Sequence, residues 1–345
     1  MLRTAHVLSL SLLAAPFASA QEAPPGPAPE LQKLAPLVGH WSGSGSVQMG
    51  PQASKWTAQS TYAWVLDGHF LQEDTRVVFD DMAAPMTFRA YHGWDRENGR
   101  YVTAAIDNGG EARLEPLHLL PDGTMVQLQR RYEQGLPYAE RARWRVDGDA
   151  MELRIVLLTT EGPSATAVEG TLARGEEAFA IDWDSAAWND AKPAPELQRL
   201  ARSAGTYTFS GAMVMQPGAP ATEITGTDTF APVFGGTIFR GESVGEAEGM
   251  PGQWRGEVFW SFDAHRKCLA GVYVGNMGEV MTMQAWWAGP AELVSTFAGT
   301  RQGTPVAERM VLTFDDEGRA AEAVADTLVG TAAPYRSFWG SYGAK

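Results

Sequence analysis

Hydrophobic and polar residues alternate in short runs along most of the chain, and turn residues cut the runs at close intervals. Period-two alternation marks a half-buried strand, because successive side chains point to opposite faces. In the first half the pattern predicts strands near 40–49, 55–66, 69–79, 86–94, 100–107, 112–119, 124–132, 138–147, 150–159 and 165–173. The breaks hold Gly50-Pro51, Asp67-Gly68, Asp80-Asp81, Asn98-Gly99, Asn108-Gly109, Asp122-Gly123 and Asp147-Gly148. Asx-Gly pairs between alternating runs predict hairpins, with both turn residues at positive φ. Helical character is confined to Pro29–Val38 and Pro195–Ser203. Each opens with Pro-Glu, which suits a helix start, and is stopped by a glycine, Gly39 or Gly205.

The two openers belong to a long internal repeat. Pro29-Glu30-Leu31-Gln32-Lys33-Leu34-Ala35 recurs as Pro195-Glu196-Leu197-Gln198-Arg199-Leu200-Ala201, an offset of 166. At that offset Gly39-His40-Trp41 faces Gly205-Thr206-Tyr207. Further on the offset becomes 168. Tyr62 then faces Phe230, Gly93-Trp94-Asp95 faces Ser261-Phe262-Asp263, and Asp107-Asn108-Gly109-Gly110 faces Gly275-Asn276-Met277-Gly278. Ala139-Glu140-Arg141 faces Ala307-Glu308-Arg309. The period far exceeds the ~20–50 residues of solenoid repeats, so each copy is a domain.

About ten strands joined by consecutive hairpins make an up-and-down meander, which buries its edges best by closing. The expected fold is therefore all-β: two consecutive antiparallel barrels of about 8–10 strands, each preceded by a short helix. A barrel of that size is wide enough for a small ligand.

The N-terminus reads differently. A charged start with Arg3, an apolar run over 7–17 and Ala18-Ser19-Ala20 before Gln21 predict a cleaved export signal over 1–20. Its apolar run is too short to span a bilayer, and no later segment reaches the ~18 apolar residues of a membrane helix. Export places the expected mature protein in the periplasm or outside the cell. Residues 21–28 are a Pro-rich linker, 29–184 the first barrel, 185–194 a second linker and 195–345 the second barrel.

Residues Leu37-Val38-Gly39-His40-Trp41-Ser42-Gly43-Ser44-Gly45 after a short helix resemble the opening strand of lipocalin-like (calycin) barrels. The pattern G-x-W-x-G-x-G is most similar to a bacterial family of unknown function. That family continues with motifs seen here as Trp64-Val65-Leu66-Asp67-Gly68-His69-Phe70, Gly93-Trp94-Asp95 and Ile106-Asp107-Asn108-Gly109-Gly110. The second copy departs from it, with Tyr207 for the Trp and Ser261-Phe262-Asp263 for G-W-D. The resemblance implies the barrel fold and carries no activity. The related nitrobindin-like barrels hold haem through a His in a late strand; neither 165–174 nor 321–330 contains one, so no haem or other cofactor is implied.

Composition narrows the chemistry. With 27 Lys+Arg against 41 Asp+Glu, the net charge of −14 argues against nucleic-acid partners and anionic membrane surfaces. One cysteine, Cys268, excludes an intrachain disulfide. It follows Arg266-Lys267, which would lower its pKa, though an inert structural thiol is the simpler reading. The histidines show no metal spacing, and there is no G-x-S-x-G elbow or phosphate loop, so no catalytic or metal residue is assigned. Glu73-Asp74 and Asp107 read as turn or rim carboxylates. Met213 and Met215, and Met281 and Met283, each share a strand face. Thioethers suit Cu(I), but also fill irregular interiors.

Candidate ligand-lining residues are Tyr62, His92, Tyr101 and Arg141 in the first copy, and Phe230, Trp260, Met281, Met283 and Arg309 in the second. An inward Arg would anchor a carboxylate or phosphate head. Trp41 and Tyr207 are expected to plug barrel ends as structural residues. The function expected is binding of a small apolar or amphipathic ligand in one or both barrels. The alternatives are a packed interaction module with an unspecified protein partner, or an isomerase or hydrolase on the same scaffold.

Overall fold

The computed structural model describes residues 26–48, 53–133, 136–158, 165–188, 191–249, 251–301 and 303–344. The export signal, most of the Pro-rich linker and the Gly50-Pro51 break lie outside them.

The first copy runs β1 (Gly39–Val47), β2 (Ser54–Val65), β3 (Phe70–Phe79), β4 (Met86–Asp95), β5 (Arg100–Asp107), β6 (Ala112–Leu119), β7 (Met125–Glu133), β8 (Leu136–Asp147), β9 (Ala150–Leu158) and β10 (Ala165–Gly175). The second runs β11 (Gly205–Met213), β12 (Thr222–Val233), β13 (Ile238–Ala247), β14 (Trp254–Asp263), β15 (Cys268–Gly275), β16 (Val280–Gly289), β17 (Glu292–Arg301), β18 (Thr304–Phe314), β19 (Ala320–Val329) and β20 (Tyr335–Ala344). Each set closes into its own barrel, with sequence neighbours paired antiparallel and the first strand meeting the tenth. In the first copy every predicted strand lies within two residues of an observed one.

The turns differ from the expected geometry in one respect. Asp67 and Gly68 both take positive φ, but at Asn98-Gly99, Asp122-Gly123 and Asp147-Gly148 only the glycine does. One left-handed residue suffices where the connection contains an ordinary turn followed by glycine or a glycine-first two-residue turn.

One end of each barrel is closed by its opener. In the first copy this is a 3-10 helix, Pro29–Leu37, rather than an α-helix. Three residues per turn put Leu31, Leu34 and Leu37 on one edge, all buried, and Pro36 lacks the N–H an α-helix would need. The second opener is α1 (Pro195–Leu200) with a 3-10 turn, Ala201–Ser203. Trp41 Nε1 donates to Leu37 O at 2.7 Å, and Tyr207 Oη donates to Ser203 O at 2.9 Å. The repeat therefore preserves an aromatic donor on the same carbonyl of its opener.

The chain divides into two compact units, Pro27–Ala191 and Lys192 onward. Residues 185–188, expected as linker, are seated on the first barrel: Trp188 N donates to Asn108 O (2.8 Å), and Asn108 Nδ2 to Ala186 O (3.2 Å). Trp188 also packs against Phe79, at 6.3 Å between ring centroids. No helix among the described residues is long and apolar enough to cross a membrane.

Candidate functional site in the first barrel

Strand register carries a polar group into the first barrel. Tyr62 pairs with Glu73 and Ser60 with Thr75 between β2 and β3. His92 pairs with Leu71 and with Thr103 across β4. Period-two alternation puts all of these on the face that carries Trp56 and Tyr101, which is the interior.

His92 is 2% exposed and Glu73 8%. His92 Nε2 lies 3.1 Å from Glu73 Oε2, and Nδ1 lies 3.0 Å from Thr103 Oγ1. Thr75 Oγ1 sits 2.8 Å from Glu73 Oε1 and 2.7 Å from Ser60 Oγ. Tyr62 stacks on the imidazole, with centroids 6.2 Å apart and planes at 18°. Its phenol pKa is pushed well above the usual value by burial, then by the charge of Glu73 and a hydrogen bond to it. Trp144 approaches His92 from β8, with centroids 6.3 Å apart. Gln127 and Gln129 are buried on the same interior face of β7, with Gln129 Nε2 donating to Gln127 Oε1 at 3.0 Å.

This arrangement suits holding rather than attacking. With Nε2–H donating to the carboxylate, Nδ1 accepts from the Thr103 hydroxyl, so both ring nitrogens are engaged by the protein. Around the belt stand apolar side chains that remain partly exposed, among them Val77, Phe79, Leu153, Ile155 and Val168. A few fixed polar groups in an apolar surround are the lining composition common to small-molecule sites.

The other predicted residues fall elsewhere. Tyr101 Oη donates to Glu30 O at 2.7 Å and its ring meets Trp94 edge-on, so it ties down the closing helix. Arg141 is exposed, and so is Arg309. The expectation of an inward guanidinium is corrected: Glu308, paired with Thr327 in register, is the buried member and accepts from Thr327 Oγ1 at 2.9 Å. Glu73 is also corrected, from rim carboxylate to the centre of the belt. Its neighbour Asp74 faces the other way and binds Arg89 through two contacts, of 2.7 and 2.8 Å. Cys268 has its pKa raised, because burial and then Asp263 outweigh Arg266.

In the second barrel the matched interior positions are filled. Trp260 stands where the first copy has His92, and a Cβ on Gly271 would come within 2.7 Å of its ring. A Cβ on Gly241 would lie 2.6 Å from Phe230, and one on Gly256 would collide with Tyr273. Phe230 stacks on Phe239 at 5.9 Å. Met281 and Met283 are buried in the same apolar cluster. Among the described residues no three of His, Cys, Asp and Glu converge as a metal site.

Sequence reasoning missed Glu73, Thr103 and Gln127. The signal for Glu73 was available: it shares strand parity with Leu71 and Val77.

A family model described as a protein of unknown function, DUF1579, matches residues 26–174 and 192–302. Among solved structures, the chain is similar to Rv2717c from M. tuberculosis, at 17% identity over 44% of this chain and 99% of that one, with TM-score 0.34. It is also similar to the S-type phycobiliprotein lyase CPES from Guillardia theta, at 14% identity over 46% and 96%, TM-score 0.31. A protein of unknown function of the DUF3598 family from Nostoc punctiforme matches at 9% identity over 90% and 99%, TM-score 0.26. Comparison with curated proteins finds no match.

Proposed function

The chain belongs to the DUF1579 family of proteins of unknown function, and from that premise we propose that it binds a small apolar or amphipathic molecule inside the first barrel. The observation that carries this reading is the Tyr62–Glu73–His92–Thr103 belt set among partly exposed apolar side chains. The second barrel, with aromatic rings over glycines at the matched positions, is a packed scaffold in this reading. Residues 1–20 serve for export; protein recovered outside the cytoplasm and beginning at Gln21 would support that part.

The test is uptake of a neutral apolar dye, aminoanthracene, by the full chain. Ala142 faces the first lumen, and its match in the second copy is Met310. Ala142→Met should therefore fill the space and reduce dye uptake severalfold. No uptake by the unaltered protein would favour the packed interaction module instead.

A further inference from the structure

The wall opposite His92 carries two buried donors with no partner among the described residues. They are the indole N–H of Trp144 and the side-chain amide N–H of Gln127. Trp144 is 8% exposed and Gln127 6%. Both stand on the inward face of the β7–β8 pair, where Gln127 is opposite Ala142 and Met125 opposite Trp144. Ala142, opposite Gln127 and two residues from Trp144 on the same strand face, is the small residue beside both donors. The oxygen of the Gln127 amide is already taken by Gln129, so only its nitrogen side is open.

A buried N–H without an acceptor has lost its hydration and gained nothing in return, so an acceptor brought by a ligand is favoured there. An indole nitrogen donates only, so it cannot be satisfied by a ligand donor. A bare indole is not enough by itself: Trp254 and Trp260 in the second barrel also lack partners at Nε1. Those two, however, lie against Gly245 and Gly271. At the positions matched to Gln127, Ala142 and Trp144 the second copy has Ser295, Met310 and Leu312.

Carboxylates outnumber cations among the described inward side chains around these donors, which disfavours an anionic ligand. Glu73 lies in the same lumen, and register turns Glu115 and Glu140 inward as well. Among the described inward side chains the cation is Arg113, whose Nη1 pairs with Asp107 at 2.8 Å and Glu111 at 3.1 Å while its buried Nε has no partner among the described residues. His92 is already held against Glu73.

We propose that the ligand of the first barrel carries a neutral carbonyl group, a ketone, ester or amide, whose oxygen is received by Trp144 Nε1 and Gln127 Nε2 over Ala142. This rests on the binding reading above and narrows its ligand class. One carbonyl oxygen has two lone pairs, enough for both donors.

The test uses the full chain and three probes of equal chain length: methyl nonyl ketone, undecane and undecanoate, measured by displacement of aminoanthracene. The ketone should bind about tenfold more tightly than undecane, the effect of one or two neutral hydrogen bonds. Trp144→Phe should weaken ketone binding severalfold more than undecane binding and so remove most of that preference. Gln127→Leu is the second variant, should the first not fold, and is expected to act in the same direction. In proton NMR the Trp144 indole N–H should move downfield with the ketone and stay in place with undecane. Dye uptake without ketone preference overturns the carbonyl assignment alone. So does equal weakening of ketone and undecane by Trp144→Phe, or tighter binding of undecanoate. Absence of any uptake, dye included, overturns the binding reading itself.

Discussion

Glu279 places its carboxylate at the site that Asp107 occupies in the first barrel. Asp107 Oδ1 accepts the N–H of Gly109 at 3.0 Å, and Glu279 Oε2 accepts the N–H of Met277, the matched residue, at 3.0 Å. Gly275 stands where Asp107 would be, and a Cβ there would collide with Glu279 Oε2. The carboxylate on that backbone donor comes from four positions further along the turn, from the residue matched to Glu111. Its cation did not follow: Arg113, which pairs with Asp107 at 2.8 Å, is matched by Met281.

That missing cation has a thermodynamic consequence. Burial raises the pKa of Glu279 to about 7, against the opposing effect of its backbone hydrogen bonds. The folded state then holds a proton that the unfolded chain releases near the ordinary carboxylate value. Its contribution to stability is fully present below about pH 4.5, is lost as pH rises toward 7, and levels off above; the span is worth about 3 kcal/mol. Glu279→Gln keeps an acceptor for Met277 N without the charge. Denaturant unfolding at pH 5 and pH 8 should therefore show a gain for the variant at pH 8 and little change at pH 5. An equal effect at both would contradict the assignment.

The adjacent asparagine is the same in both copies and does the same work. Asn108 Oδ1 accepts from Thr87 N at 2.9 Å, and its Nδ2 donates to Pro85 O at 3.0 Å. Asn276 accepts from Arg255 N at 2.7 Å and donates to Gln253 O at 3.0 Å. Each side chain stands in for a rung between two turns. Alanine at either position leaves buried backbone groups unpaired and should cost about 2 kcal/mol in denaturant unfolding. Asn108→Ala should further loosen residues 185–188, which Asn108 also holds, and speed their amide exchange.

How much of this was legible follows from what each feature depends on. The ten strands and the repeat were readable because alternation and Asx-Gly spacing are local. The role of Trp41 and Tyr207 was readable in outline, as large aromatics after a short helix. Inward and outward parity was harder. Glu140-Arg141 and Glu308-Arg309 each offer two opposite faces, and only the register against Thr327 shows that Glu308 is the inward member. The His92–Glu73–Thr103 belt is drawn from three strands, and Gln127 and Trp144 meet it from two more. No spacing along the chain announces such a meeting. The exchange of Asp107 for Glu279 needed the offset carried to Glu111 and Arg113, beyond the quoted matches.

The buried phenols give an alkaline signature. Tyr62 and Tyr273 both have their pKa pushed well above 10, chiefly by burial; Glu73 adds to the first, and Glu279 and Asp228 to the second. A phenol kept neutral by the fold contributes stability that is present below about pH 10 and is lost as pH rises through its folded pKa. Of the nine tyrosines, these two should ionise last in a near-ultraviolet titration, together with unfolding. Tyr62→Phe and Tyr273→Phe should each remove one equivalent from that late phase. An unchanged late phase in either variant would show that phenol to be more accessible than its burial implies.

The contrast between the two interiors can be tested by exchanging it. Trp260 occupies the position of His92, and Gly271 that of Thr103, and the glycine is required because the indole lies across it. Gly271→Thr alone forces a side chain into the ring and should destabilise the protein by about 1–3 kcal/mol, the usual effect of overpacking a filled core. Trp260→His alone removes much of a large buried ring and should also destabilise. Together they reproduce the His–Thr pair of the first barrel, whose Nδ1–Oγ1 separation is 3.0 Å, and the overlap disappears. The double variant should therefore be more stable than the sum of the single changes predicts, by more than about 1 kcal/mol in a double-mutant cycle. Strict additivity would mean that Gly271 is not set by Trp260, and that the filling of the second barrel has another cause.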